Sequence, residues 1–354
     1  MITSSAFSRN AALGLMVAVL AGLSLSACER LGNGINARRE IAFSVLSADN
    51  ARTQALWTPL LTDLQKQTGI EVKIVPAVNY EAQVIAFQTR KAQAGWFPNL
   101  TGAELVARKH GEVFAEADGL TPYQSLIIIP SSSKLRVEEL LKCNRRLTLG
   151  LGETRDAAAG QAPLYYLFHP KSVELNTCFK TVTREPAAEN IAGVISGKLS
   201  AAAIDSDDLQ ALKQMAPENF AKVKVIWASE PLPEDVLIYR PDLDPVTREK
   251  LRSFFLSYGR APGAEGDRQR AILRALEMEG FAPEDNDHFI PIRLMKASVD
   301  LMHAEARDDK GLIARAKQIL EKVRAEKRAA DADTAPQAPA DAVVTSRESN
   351  SKGQ

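Results

Sequence analysis

The feature that most limits the fold of this chain is a repeated change of hydrophobic period between residues 41 and 106. Ile41-Ala-Phe-Ser-Val-Leu46 alternates with a period of two, as a strand does. Ser47-Ala-Asp-Asn50 then turns into a segment, Arg52–Thr68, whose Leu56, Trp57, Leu60, Leu61 and Leu64 share one helical face before Gly69 stops it. Ile70-Glu-Val-Lys-Ile-Val75 alternates again, Tyr80 opens a helix over Glu81–Thr89, Ala94-Gly-Trp-Phe97 is a short apolar strand, and Asn99 starts a further helix through Val106. Strand and helix exchanging at this spacing predict a parallel, doubly wound α/β sheet.

A second group of strands follows at 123–130, 147–149, 179–182, 199–204, 223–227 and 236–239. The chain crosses between the groups near Tyr123 and again near Pro231-Leu-Pro233, which predicts two lobes hinged around a ligand cleft. The expected division is 39–122 with 234–300 as lobe 1, 123–233 as lobe 2, a charged C-terminal helix over 301–330, and a disordered Ala/Ser/Pro-rich tail over 331–354. Asp205, Asp207 and Asp208 read as the start of a helix rather than a Ca²⁺ loop, which needs a loop Gly and a later Glu.

The N-terminus reads as an export signal. Arg9 is the only charge before the apolar run Ala11–Leu25, which is too short to span a membrane. Leu25-Ser-Ala-Cys28 resembles a bacterial lipobox, so residues 1–27 are expected to be a lipoprotein signal, Cys28 the lipidated first residue, and 28–38 a tether. The protein is then expected on the periplasmic side of the envelope, held to the membrane by lipid. In that oxidising setting Cys143 and Cys178 invite a disulfide, the alternative being two buried thiols. Lys plus Arg and Asp plus Glu both number 44, so no net field recruits nucleic acid. The four histidines are scattered singly, and no metal-ligand spacing or Ser-His-Asp arrangement occurs; neither an enzyme nor a cofactor is expected.

The Gly150-Leu-Gly-Glu-Thr-Arg-Asp156-Ala-Ala-Ala-Gly-Gln-Ala-Pro163 turn joins a strand to a helix, a common place for an anion. Asp156 has two readings there: an N-cap serving its own helix, or a ligand-binding carboxylate.

Several motifs in order resemble one family, the phosphonate-binding component (PhnD family) of ABC importers, a type II periplasmic substrate-binding protein. They are Trp57-Thr-Pro-Leu-Leu61, Thr68-Gly69, Tyr80, Ala94-Gly-Trp-Phe97, His110-Gly-Glu-Val-Phe114, Tyr123-Gln-Ser125, Val223-Lys-Val-Ile-Trp227, Phe254-Phe255, Tyr258-Gly259, Gly280-Phe281 and Pro291-Ile-Arg293. The resemblance implies a receptor that delivers a small ligand to a membrane permease and its ATPase. It also implies a phosphonate seat made by Ser-Thr-Ser-Gly at a helix start, positions that align here with Asp156, Ala157, Ala158 and Ala159. The family's second-lobe His falls on Ala187, its acidic residue on Ser200, and its aromatic hydroxyl after Trp96 on Phe97, while Tyr80 is kept.

Those departures predict altered specificity. Either Arg155 replaces the lost donors for a phosphonate-like oxyanion, or Asp156, Glu153 or Glu189 receives an amine or zwitterion between the aromatic walls of Tyr80, Trp96 and Phe97. The alternative to import is an envelope lipoprotein that keeps the fold as a sensor or interaction module.

Overall fold

A computed structural model describes residues 40–47, 50–118 and 122–334. The signal, Cys28, the tether and the residues beyond 334 lie outside them. Among the described residues no helix is long and apolar enough to cross a membrane.

The strands form two mixed sheets flanked by helices. The first runs in the order β11-β4-β10-β3-β1-β2, from β1 (Glu40–Leu46), β2 (Glu71–Ala77), β3 (Ala94–Phe97), β4 (Glu112–Asp118), β10 (Val236–Tyr239) and β11 (Gly280–Pro283). The second runs β7-β6-β8-β5-β9, from β5 (Ser125–Pro130), β6 (Thr148–Leu151), β7 (Thr181–Arg184), β8 (Ala201–Asp205) and β9 (Val223–Ala228).

The parallel arrangement expected from the N-terminal alternation holds for β1 with β2 and β3, and for β6 with β7 and β8. It fails at the crossings: β10 is antiparallel to β3 and β4, and β5 is antiparallel to β8 and β9. Connectivity explains the difference. β4 ends toward the second sheet, so the chain enters that sheet from the cleft side and β5 must run away from the cleft. β9 brings it back, and β10 likewise begins at the cleft. β4 and β11, each paired antiparallel with its neighbour, complete the first sheet although their short alternation gave no strand signal.

The first sheet packs Phe43, Trp57, Leu60, Phe114, Phe255 and Phe281 into an apolar core against the Asn50–Thr68 and Pro245–Ser257 helices. A second cluster joins the two lobes: Phe97, Leu100 and Ile238 from the first share it with Ala157, Ala158 and Ala162 from the second, together with Ile292 and Met295. The expected C-terminal helix over 301–330 is two helices, Ile290–Ala306 and Lys310–Thr334, so a boundary at 300 falls inside the first. The second is not solvated all round, because Ala316, Leu320 and Val323 are buried and Arg293 pairs with Glu326 at 2.6 Å. Cys143 and Cys178 are joined as a disulfide, closing a loop over a sequence separation of 35.

Candidate functional site

A cleft of about 310 Å³ lies between the sheets. Its first wall comes from Leu46, Tyr80, Trp96 and Asn99, with Glu234 and Asp235 just before β10; its second comes from Tyr123, Arg155, Asp156, Ala157, Asp205 and Asp207.

The Gly150–Pro163 turn is held by its own backbone and by the Arg184 side chain. Gly152 N–H donates to the Ala159 carbonyl at 3.0 Å, Asp156 N–H to the Glu153 carbonyl at 3.0 Å, and Arg184 Nη1 to the Gly152 carbonyl at 2.9 Å. A Cβ at Gly160 would stand 1.9 Å from the Glu153 carbonyl oxygen, so only glycine fits where the turn folds over. The helix beyond it opens in two π-helical turns, Ala157–Gln161 and Pro163–Phe168. Asp156 caps it: Oδ1 accepts from Ala159 N–H at 2.8 Å, and the Ala158 and Gly160 amides also act on the carboxylate.

Among the described residues three further helix starts lie beside the cleft. Asp205 caps the Ser206–Met215 helix by accepting from Asp208 N–H at 2.7 Å, and Asn79 caps the Tyr80–Gln88 helix through Ala82 N–H at 2.8 Å. The Asn99–Ala107 helix has Pro98 at its cap position, which makes no side-chain cap bond. Asp235 stands beside that start from across the sheet, where the Asn99 N–H and the Trp96 indole act on its carboxylate. Carboxylates of the chain therefore stand at three of these four positive helix ends, where an anion would bind, and the Asn79 amide caps the fourth.

The electrostatics follow. Burial, then mutual repulsion with Asp207 and Asp205, raises Asp235 to about 7. Burial raises Asp156 to about 6 even though its helix amides pull the other way, and Asp205 adds to the rise. Asp207 is pushed up to about 6 and Glu234 to about 8, again by burial first and by neighbouring carboxylates second. Tyr80 and Tyr123 are both raised by burial and by the surrounding acids, so both stay neutral O–H groups; Tyr123 Oη donates to Asp205 Oδ2 at 3.2 Å. Among the described residues six carboxylates line the cleft (Asp156, Asp205, Asp207, Glu234, Asp235 and Glu277) against one cation, Arg155. That cation is committed elsewhere, since its Nη1 pairs with Glu104 of the facing lobe at 2.9 Å.

Of the residues singled out in the sequence, Tyr80, Trp96, Arg155, Asp156 and Ala157 meet in the cleft. Four others do not. Phe97 is fully buried beneath the sheet with its ring 4.7 Å from Phe87, because adjacent strand residues point to opposite faces and Trp96 takes the cleft side. Ala158 is buried in the apolar cluster that joins the lobes. Ala187 packs on the second lobe's outer cluster with Ile191. Ser200 bonds Thr148 before β8 begins, whereas the cleft lies beyond the strand's other end, at Asp205. Glu153 and Glu189 are exposed and outside the lining. The acids that sequence reasoning missed, Glu234 and Asp235, precede their strand. The usual search at the carboxyl ends of strands passes over them, and the Pro-rich crossing was the available signal.

Comparison with known proteins agrees with this architecture. The family described as "ABC transporter, phosphonate, periplasmic substrate-binding protein" matches residues 43–289. The phosphonates-binding periplasmic protein of Escherichia coli is 28% identical over 289 residues, covering 80% of this chain and 84% of that protein. A binding-protein component of an ABC phosphonate transporter from Pseudomonas aeruginosa superposes with a TM-score of 0.70 at 28% identity, over 84% of this chain and 100% of that one. A Prochlorococcus marinus protein solved with methylphosphonate shares the fold, with a TM-score of 0.61 at 20% identity over 74% of this chain and 98% of that one. The two-lobed α/β fold is that of type II periplasmic binding proteins, and the chain belongs to the phosphonate family of periplasmic substrate-binding proteins of ABC transporters.

Proposed function

We propose that this chain receives a small amine, or a zwitterion led by its amino group, and passes it to an ABC permease and ATPase, its specificity altered from the phosphonate expected of the family. The observation that carries this reading is that Asp156 and Asp235 fill both principal helix starts of the cleft. An anion arriving there meets like charge, worth about 4 kcal/mol for a pair at ~4 Å and an effective dielectric near 20. Each lost hydroxyl donor costs a further ~1–3 kcal/mol where an acceptor is left unpaired. Together these rival the ~8 kcal/mol of micromolar binding. A cation instead relieves the repulsion among the raised carboxylates, and the Trp96, Tyr80 and Tyr123 rings suit it.

In this proposal 39–122 with 234–300 form one lobe and 123–233 the other, residues 1–27 are removed as the export signal, and Cys28 carries the lipid anchor. A sensor or interaction role without transport is a second reading, favoured by the apolar cluster and the Arg155–Glu104 pair that join the lobes directly.

Thermal denaturation of the exported part of the chain separates the ligand classes, since a ligand selective for the native state raises Tm. Millimolar putrescine, choline or amino acids are expected to raise Tm, and methylphosphonate, phosphite and phosphate to leave it in place. A rise of several degrees with any of those oxyanions overturns the amine reading; no response to any compound supports the sensor role.

A further inference from the structure

A second group of polar side chains lies in the first lobe, outside the cleft lining. Glu116 on β4, Glu284 just after β11 and His288 in the turn before the Ile290–Ala306 helix bring one ligand atom each to within 4.8 Å of one another. The histidine is what distinguishes them from a chance acidic cluster. Its side chain is only 6% exposed, and its ring is set edge-on against buried Phe289, with centroids 5.1 Å apart. Nε2 lies 2.9 Å from the Glu234 carbonyl oxygen. A carbonyl can only accept, so Nε2 donates to it and Nδ1 faces the other way.

Nδ1 faces two carboxylates. Nδ1 stands 3.5 Å from Glu116 Oε2 and 3.5 Å from Glu284 Oε2, with exposures of 33% and 27% for the two acids. These separations exceed the ~2.7–2.9 Å of a charged N–H···O bond. They come close to the ~3.3 Å between two ligand atoms that share a tetrahedral cation at ~2.0–2.1 Å. A carbonyl holding the far ring nitrogen is also the usual support for a metal-binding histidine.

We propose that Glu116, Glu284 and His288 form a site for a divalent transition-metal cation of the Zn²⁺ class, with water completing the coordination. The cation ties β4, the end of β11 and the turn before the Ile290–Ala306 helix to the returning crossing strand, through the bond from His288 to Glu234. Glu234 also lines the ligand cleft, so the site braces one side of the hinge.

The test is titration of chelator-stripped protein with Zn²⁺ by calorimetry and with Co²⁺ by visible absorption. One equivalent is expected to bind, with the absorption bands of a low-coordinate Co²⁺ site. Glu284→Gln and Glu116→Gln are expected to weaken binding by at least ~10-fold, the loss typical of removing even a supporting partner. Both are near-isosteric, and circular dichroism checks that they fold. Because the cleft acids also attract Zn²⁺, Asp156→Asn/Asp205→Asn is measured alongside and is expected to keep the tight equivalent. Absence of a stoichiometric equivalent, indifference to both Gln variants, or loss in the cleft variant overturns the proposal. The outcome is independent of whether the cleft takes an amine.

Discussion

Two of the helix starts that open on the cleft, at Ala157 and at Asn99, are each met by a carboxylate, but from opposite sources. At Ala157 the cap is local: Asp156 precedes the helix and accepts from Ala159 N–H at 2.8 Å. At Asn99 the local cap residue is Pro98, which offers no side-chain acceptor, and Asp235 arrives from the start of β10 more than a hundred residues later. The same electrostatic need is met once by neighbouring sequence and once by the fold. The consequence for the ligand is shared, because neither start is left free for an anion.

The largest effect expected is on binding. Asp156→Asn with Asp235→Asn keeps hydrogen-bond acceptors at both starts but removes both charges. At about 1.5–3 kcal/mol for each charge-assisted contact, amine affinity is expected to fall ~100-fold or more by calorimetry. If the double variant binds amines as before, the two starts are structural caps and nothing else.

The pH dependence comes next. Asp156 and Asp207 titrate near 6, Asp235 near 7 and Glu234 near 8, all above the ordinary carboxylate range. Folded-state values above the unfolded ones mean that the native protein binds more protons, so stability is fullest below about pH 4 as far as these groups are concerned and is lost as pH rises through about 8. The unliganded Tm is therefore expected to fall between pH 5 and 8. Amine affinity, which needs the ionised forms, is expected to rise ~10-fold over that window. A flat affinity profile would count against cation recognition by these acids.

The caps themselves are expected to differ in worth. Asp156→Ala should cost about 1 kcal/mol, read as a Tm loss of roughly 2–4 °C for a domain of this size, while Asp156→Asn restores it. Asp235→Ala should cost less, because Asn99 lines the cleft, where water can replace the lost acceptor. Equal losses would show that the distant cap carries as much of the fold as the local one.

The smallest effect belongs to the pair that spans the lobes. Glu104→Gln removes the partner of Arg155, whose side chain is 46% exposed, so the stability change should stay within ~1 kcal/mol. If the freed guanidinium turns into the cleft, a weak response to methylphosphonate should appear.

How much of this was legible beforehand varies by residue. The turn at Gly150–Pro163, the cap at Asp156, the helix start at Asp205 and the crossings near Tyr123 and Pro231 all rest on neighbouring residues, and each could be read directly. Position-by-position transfer of a family's ligand residues was less secure. A single step along β3 moves a side chain from the cleft to the core, which separates Trp96 from Phe97. The length of β8 separates Ser200 from Asp205 in the same way. Ala157 and Ala158, where hydroxyl donors were expected, pack into the cluster joining the lobes, so their small size serves close approach of the two halves.

The sequence by itself determined the α/β class, the two crossings and the family, because period, caps and turn residues act over a few positions at a time. Only the tertiary structure decided what the cleft is. The crossing strands reverse direction at the hinge and carry Glu234 and Asp235 to the helix ends and acids of the other elements. Charge adds up by distance in space, where spacing along the chain has no say.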